Sequence, residues 1–214
     1  MSILELQGIK YSDYKRELTY EFNKGNLYAL YCESPEDDEL ETLFKIMTYL
    51  VLADRGTYFW ENINIKKLTP SLYRSNMISV ISEKNTCFDE MKTLNFLKYS
   101  TDNFQKLDIQ NIEFVDYLEL IYGLAEEWGI DEKKMNTKIK KLNNQDKWQV
   151  KLIESLLKGS NVLLINKTLD YYDNEQLDFF FQSLNQMAKK YNQCIIVFTE
   201  KKEIAYKLDY LINI

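Results

Sequence analysis

The sequence predicts an α/β domain, a mixed β-sheet core with a helical subdomain, and three observations predict it. Short apolar runs rich in β-branched and aromatic residues recur toward both ends of the chain. Amphipathic helical patterns lie between several of them. The stretch 92–141 holds much helical pattern and no convincing strand. Sheet-forming runs that alternate with helices, and a separate helical insert, point to one layered α/β core with an appended subdomain.

The elements follow in chain order. Runs at 3–6, 27–31, 58–60, 77–81, 162–165, 195–199 and 210–214 suit strands, and the continuous ones suit strands buried on both faces. A helix over 36–52 places Leu40, Leu43, Phe44, Met47 and Leu50 on one face. A second over 146–157 gathers Val150, Ile153 and Leu157. A third over 174–191 gathers Leu177, Phe181, Leu184 and Ala188. The expected organisation is a core over 1–91, a helical subdomain over 92–141 and the rest of the core over 142–214, with no internal repeat.

Composition removes several function classes. With 214 residues, 45% apolar, the chain is long enough to bury a substantial core. Its net charge of −6, without a basic tail, gives nucleic acid little electrostatic help. Three scattered cysteines, Cys32, Cys87 and Cys194, form no C-x-x-C pair, so neither a disulfide framework nor a structural zinc is expected, and a cytoplasmic setting is the default. The N-terminus lacks a signal-peptide layout, and the longest apolar stretch, 43–53, is interrupted by Lys45 and too short to span a bilayer. There is no histidine. That excludes a Ser/Cys–His dyad and a His-ligated metal, leaving carboxylates, lysines and tyrosines for any chemistry.

The stretch YCESPEDDELETL, 31–43, follows a buried strand, where many proteins hold a phosphate. Here it has no glycine and no lysine, and carries Glu33, Glu36, Asp37, Asp38, Glu39 and Glu41. Ser34 suits an N-cap, Pro35 the first helical position and Asp37 the third, as in a capping box. The expectation is a helix start whose anion-binding capacity is taken by its own carboxylates. An acidic Mg²⁺ or Ca²⁺ site is the lesser alternative, since the glycine and alternating ligands of an EF-hand are missing.

Over essentially its whole length the chain resembles the nucleotide-binding subunit of an ABC transporter, with its P-loop NTPase fold. Arg55-Gly56-Thr57-Tyr58-Phe59 looks like that family's strand after the first helix. Ile78-Ser79-Val80-Ile81-Ser82-Glu83 looks like the strand ending in the Q-loop glutamine, and 88–93, FDEMKT, like the segment after it. Residues 141–173 track the run from signature motif to D-loop, and 194–214 the closing strand, switch loop and final strand. The frame is matched; the chemical positions are not. In place of G-x-x-G-x-G-K-[ST] the loop is about two residues longer, with Ser34 in it and only Thr42 retained in kind. Glycine backbone, lysine and hydroxyl are what hold phosphates and Mg²⁺ there. Asn166 stands at the Mg²⁺-orienting aspartate, Lys167 at the catalytic glutamate, Glu83 at the Q-loop glutamine and Glu200 at the switch histidine. Leu142-Asn143-Asn144-Gln145-Asp146 replaces L-S-G-G-Q, and Asp173 keeps the D-loop aspartate. Tyr11 or Tyr14 falls where the family stacks an aromatic on adenine.

The resemblance implies a catalytically silent subunit with no catalytic, cofactor-binding or metal-binding residues. It would partner a membrane permease, with homo- or heterodimerisation through an ATPase-like subunit, in peptide export or resistance. It implies no nucleic acid and no direct insertion in the membrane, and a cytoplasmic place, peripheral to the inner face of the cell membrane through a partner. A stand-alone interaction module on the same fold is the alternative, and a divergent active ATPase the third reading. Individual residues carry plainer readings as well. Lys167 reads as a solvated strand-end lysine rather than a catalytic amine. Asn143-Asn144-Gln145 reads as a polar helix cap, or as a contact to a partner's nucleotide. Asp173 either orders a dimer interface or caps the helix that follows. Phe179-Phe180-Phe181 reads mainly as core, and Glu119, Glu126 and Glu127 as solvated.

Overall fold

A computed structural model of the chain describes residues 2–11, 17–33, 39–82, 88–102 and 117–214. In order these are β1 (Ser2–Lys10), β2 (Leu18–Asn23), β3 (Leu27–Tyr31), α1 (Glu39–Met47), β4 (Arg55–Trp60), β5 (Ile63–Asn64), the turn α2 (Pro70–Leu72) and β6 (Ile78–Ser82). Then come α3 (Thr93–Asp102), α4 (Tyr117–Glu127), α5 (Glu132–Met135) and α6 (Asn144–Leu157). The chain closes with β7 (Val162–Asn166), α7 (Asn174–Tyr191), β8 (Cys194–Thr199), α8 (Lys202–Ala205) and β9 (Tyr210–Asn213). Two compact units contain them: residues 1–83 with 160–214, and residues 84–159.

The first unit holds two sheets. An antiparallel one runs β2-β1-β4-β5, and a parallel one runs β6-β7-β8-β3-β9. Every residue of β3 and β8 is buried, as a parallel sheet covered on both faces requires. One apolar cluster joins Leu4, Leu6 and Ile9 of β1, Phe22 of β2, Leu43, Phe44 and Met47 of α1, and Leu30, Leu164, Ile196 and Phe198 of the parallel sheet. Where β1 bends, Gly8 and Gly56 have positive φ. A Cβ on Gly56 would lie 2.3 Å from the Gly8 carbonyl oxygen, so the close approach of these strands needs glycine there.

The strand runs are found where the sequence places them, with β1 extended to Lys10 and β4 back to Arg55. The helix at 174–191 matches to the residue. Two strands were not foreseen. β2 alternates, exposing Thr19 and Glu21, and so lacks a continuous apolar run; β5 is two residues long. The first helix ends sooner than expected. Tyr49 turns left-handed at φ 56°, the Leu50 amide donates to the Lys45 carbonyl at 2.8 Å, and the Tyr49 amide donates to that of Ile46 at 2.9 Å. This is a Schellman closure with tyrosine in the glycine place. Leu50 therefore leaves the apolar face and is 58% exposed.

The second unit is helical. Ile121, Leu124, Ala125, Trp128, Ile130 and Met135 are buried in it. The Thr93 amide and hydroxyl both donate to the Thr137 carbonyl, at 3.0 and 3.1 Å. The amides of Ile139 and Lys140 donate to the carbonyls of Met91 and Asp89, at 3.0 and 3.1 Å. These bonds hold the segment before α6 against the start of the unit.

Candidate functional site

Strands β7, β8 and β3 are adjacent in the parallel sheet, so their carboxyl ends open on one place, the usual ligand-binding edge of such sheets. Four side chains meet there. Asn166 ends β7 and donates from Nδ2 to Oε2 of Glu41, in the first turn of α1, at 2.9 Å. The Asn166 side-chain oxygen, Oδ1, is buried with no hydrogen-bond partner among the described residues. Lys167 takes the left-handed conformation, φ 52°, and its amide donates to the Phe198 carbonyl at 2.9 Å. That turn aims its ammonium at Glu200, just past β8, with which it forms a short, half-buried ion pair.

A carboxylate braces the far side. Asp170, in the 3₁₀ turn Thr168–Tyr171, accepts from the Thr199 hydroxyl and, at 3.0 Å, from the Glu200 amide. Burial raises its pKa, and the bond from Thr199 and the Glu200 amide act against that rise. The Thr168 hydroxyl donates to the Ile81 carbonyl at 3.3 Å, tying this turn to β6. Glu41 also faces Lys45 one helical turn on, at 3.7 Å. Thr42 is half-buried beside it.

The chemistry open to this arrangement is limited. A charged, ion-paired lysine has no lone pair with which to take a proton from water. A neutral amide offers a dication only a dipole, where a carboxylate would offer charge. Among the described residues no group of three or more His, Cys, Asp or Glu side chains could hold a metal, and no helix is long and apolar enough to cross a membrane.

The remaining predicted positions sort as follows. Asn166, Lys167 and Glu200 are gathered in one place. Lys167 is paired rather than solvated, because its left-handed turn brings the ammonium to Glu200. Asp173 caps α7, accepting from the Gln176 amide at 2.9 Å. Asn143 caps α6, accepting from the Asp146 amide at 2.7 Å, with Asn144 and Gln145 exposed after it. Tyr11 is 3% exposed, so its ring has no free face for an adenine. Phe180 and Phe181 are buried and Phe179 half-buried, a core role. Ser34, Pro35, Asp37, Tyr14, Glu83 and Cys87 lie outside the described residues. Sequence reasoning missed the roles of Glu41, Asp170 and Thr199. The available signal was opposite charge at Lys167 and Glu200, each just past the end of a buried strand.

No family model matches the chain. Over 187 residues, 84% of its length, it is 21% identical to the D-allose import ATP-binding protein AlsA of Escherichia coli (strain K12), of which it spans only 35%. Among solved structures, it matches the ADP conformation of MJ1267, an ATP-binding cassette of an ABC transporter, with a TM-score of 0.79 at 16% identity, covering 100% of this chain and 87% of that one. The dimeric structure of MJ0796, a bacterial ABC transporter cassette, matches with 0.74 at 13%, covering 99% and 94%. A bacterial Atm1-family ABC exporter with ATP bound matches with 0.71 at 14%, covering 99% of this chain and 36% of that one.

Proposed function

The chain has the fold of an ABC transporter ATP-binding cassette, and from that premise we propose that it is a non-catalytic cassette-like subunit. In this reading it is a pseudo-ATPase that serves as structural or regulatory partner of a membrane permease, beside a second copy or an active ATPase subunit. In this reading the core spans 1–91 and 142–214, and the helical subdomain 92–141. Ser34, Thr42, Glu83, Asn143, Asn144, Gln145, Asn166, Lys167, Asp173 and Glu200 are its altered motif positions.

The observation that carries it is the pairing at the strand ends. The side chains proposed to stand in place of the Mg²⁺-orienting aspartate, the catalytic base and the switch histidine are Asn166, Lys167 and Glu200. They bond to Glu41 and to one another. A triphosphate entering here would meet the Glu41 carboxylate. One like-charge pair at about 4–6 Å costs about 3–4 kcal/mol at an effective dielectric near 20. That takes up much of the roughly 4–8 kcal/mol that a millimolar to micromolar ligand gains on binding. In this reading the chain is cytoplasmic and held at the membrane by its permease. The setting in this reading is a peptide exporter or resistance transporter.

Thermal unfolding of the purified chain with and without Mg·ATP, alongside phosphate release, tests the reading. The expected result is an unchanged melting temperature and no phosphate. A saturable shift, worth about 2.7 kcal/mol at a hundredfold excess over Kd, together with hydrolysis lost in Thr42→Ala, would overturn it.

A further inference from the structure

We propose that β9 pairs with β9 of a second copy of this chain, antiparallel about a two-fold axis at Ile212, so that the two parallel sheets join edge to edge. This goes beyond the non-catalytic reading and does not depend on it.

β9 lies at the edge of the parallel sheet. It bonds to β3 on one side and, among the described residues, to no strand on the other. The Ile214 amide donates to the Tyr31 carbonyl at 2.9 Å. Backbone groups alternate in direction along a strand, so Leu211 and Asn213 turn their N–H and C=O groups outward. Edge strands are normally blunted by charge, proline or brevity. Elsewhere in the two sheets the edges are guarded. β2 exposes Glu21, with Glu17 exposed just before it, β5 has two residues, and β6 buries Ile78, Ser79 and Ile81. β9 has no such guard. The stretch YLINI, 210–214, holds no charge, proline or glycine, and Tyr210 is 46% exposed.

The choice of occupant follows from what this edge can match. A charged strand would find no countercharge along 210–214, so the fitting partner is an uncharged, β-prone strand of the same length, and β9 is itself one. About an axis at Ile212, Leu211 of each copy faces Asn213 of the other, and each such pair exchanges both of its N–H···O bonds. Tyr210 of each copy then stands opposite Ile214 of the other, an aromatic–β-branched pair. These side chains share one face with Ile212. On that face Tyr210 stacks on Tyr28 with ring centroids 5.0 Å apart, Ile212 belongs to the apolar cluster and Ile214 packs against it. Self-pairing extends an apolar face that is already built and covers the exposed Tyr210 ring.

Sedimentation velocity of the chain from about 1 to 200 µM tests this, since one short strand pair makes a small and weak interface. The expected result is a monomer–dimer equilibrium that holds or strengthens as NaCl rises from about 50 to 500 mM, because salt screens the repulsion between two copies of net charge −6. Asn213→Pro deletes an outward N–H and leaves the bonds to β3 in place. It should weaken the dimer about tenfold or more, one bond being lost in each copy, with an unchanged circular dichroism spectrum. Mixing Tyr210→Cys with Ile214→Cys under mild oxidation should give a disulfide-linked heterodimer that neither variant nor the wild type gives alone, a result no folding defect imitates. A wild-type chain that stays monomeric, a dimer lost at high salt, an Asn213→Pro variant that dimerises like wild type, or a mixture no more cross-linked than its parts would each overturn the proposal. So would Leu211 and Asn213 amides that resist hydrogen exchange in a monomer, which would assign the edge to another segment of the same chain.

Discussion

At the scale of single residues, Lys167 and Glu200 neutralise one another at the open end of the sheet. Each side chain is about a third exposed or less, at 26% and 31%. Removing one partner strands a partly desolvated charge, so Lys167→Met should cost about 1–2 kcal/mol, between the values for surface and buried pairs. Lys167→Glu should cost more, because it places a second anion beside Glu200 and near Asp170. The exchange Lys167→Glu/Glu200→Lys should recover most of the loss. Urea unfolding of the wild type, Lys167→Glu, Glu200→Lys and the double variant reads this as a coupling energy. A loss in the double variant equal to the sum of the two single losses would show that the pair is not an energetic unit.

At the scale of elements, helix ends decide where side chains go. Asp173 has two candidate roles, a charge at an interface or a cap on α7. The cap needs only a short side-chain acceptor for the Gln176 amide. Asp173→Ala should therefore lower stability by about 1 kcal/mol, while Asp173→Asn, which keeps the acceptor, should lower it by a few tenths. Thermal melts of the isolated chain separate the cases, and equal losses in both variants would favour the charge over the cap. The other end of helix geometry appears at α1. Its apolar spacing continues to Leu50, yet the left-handed Tyr49 closes the helix and sets Leu50 outside. Periodicity registers which face is apolar. It does not register a backbone reversal at a residue other than glycine or asparagine.

At the scale of the whole molecule, the expected assembly is with a multi-span membrane protein. A pull-down of the tagged chain from its native cells in mild detergent, read by mass spectrometry, should recover a permease with or without an active ATPase. Recovery of only the chain itself or of soluble partners would break the transporter reading and leave an interaction module on a cassette fold.

Much of this protein was legible in its sequence. Strands buried on both faces, such as 27–31 and 194–199, must be apolar throughout, so they announce themselves without any contact being known. The third long helix was bounded by its cap and its apolar spacing. That the stretch 31–43 holds no glycine or lysine, and the whole chain no histidine, needed no structure either. What the sequence could not contain was which charges neutralise which. Glu41 and Asn166 are 125 residues apart, and Lys167 and Glu200 are 33 apart. Only the order β7-β8-β3 sets them side by side. The alternation of β2 and the glycine contact between β1 and β4 were likewise settled by strand pairing. Local pattern fixes which residues must be buried, because burial is paid residue by residue. Long-range pairing of polar groups depends on strand order, and only the tertiary structure decides that.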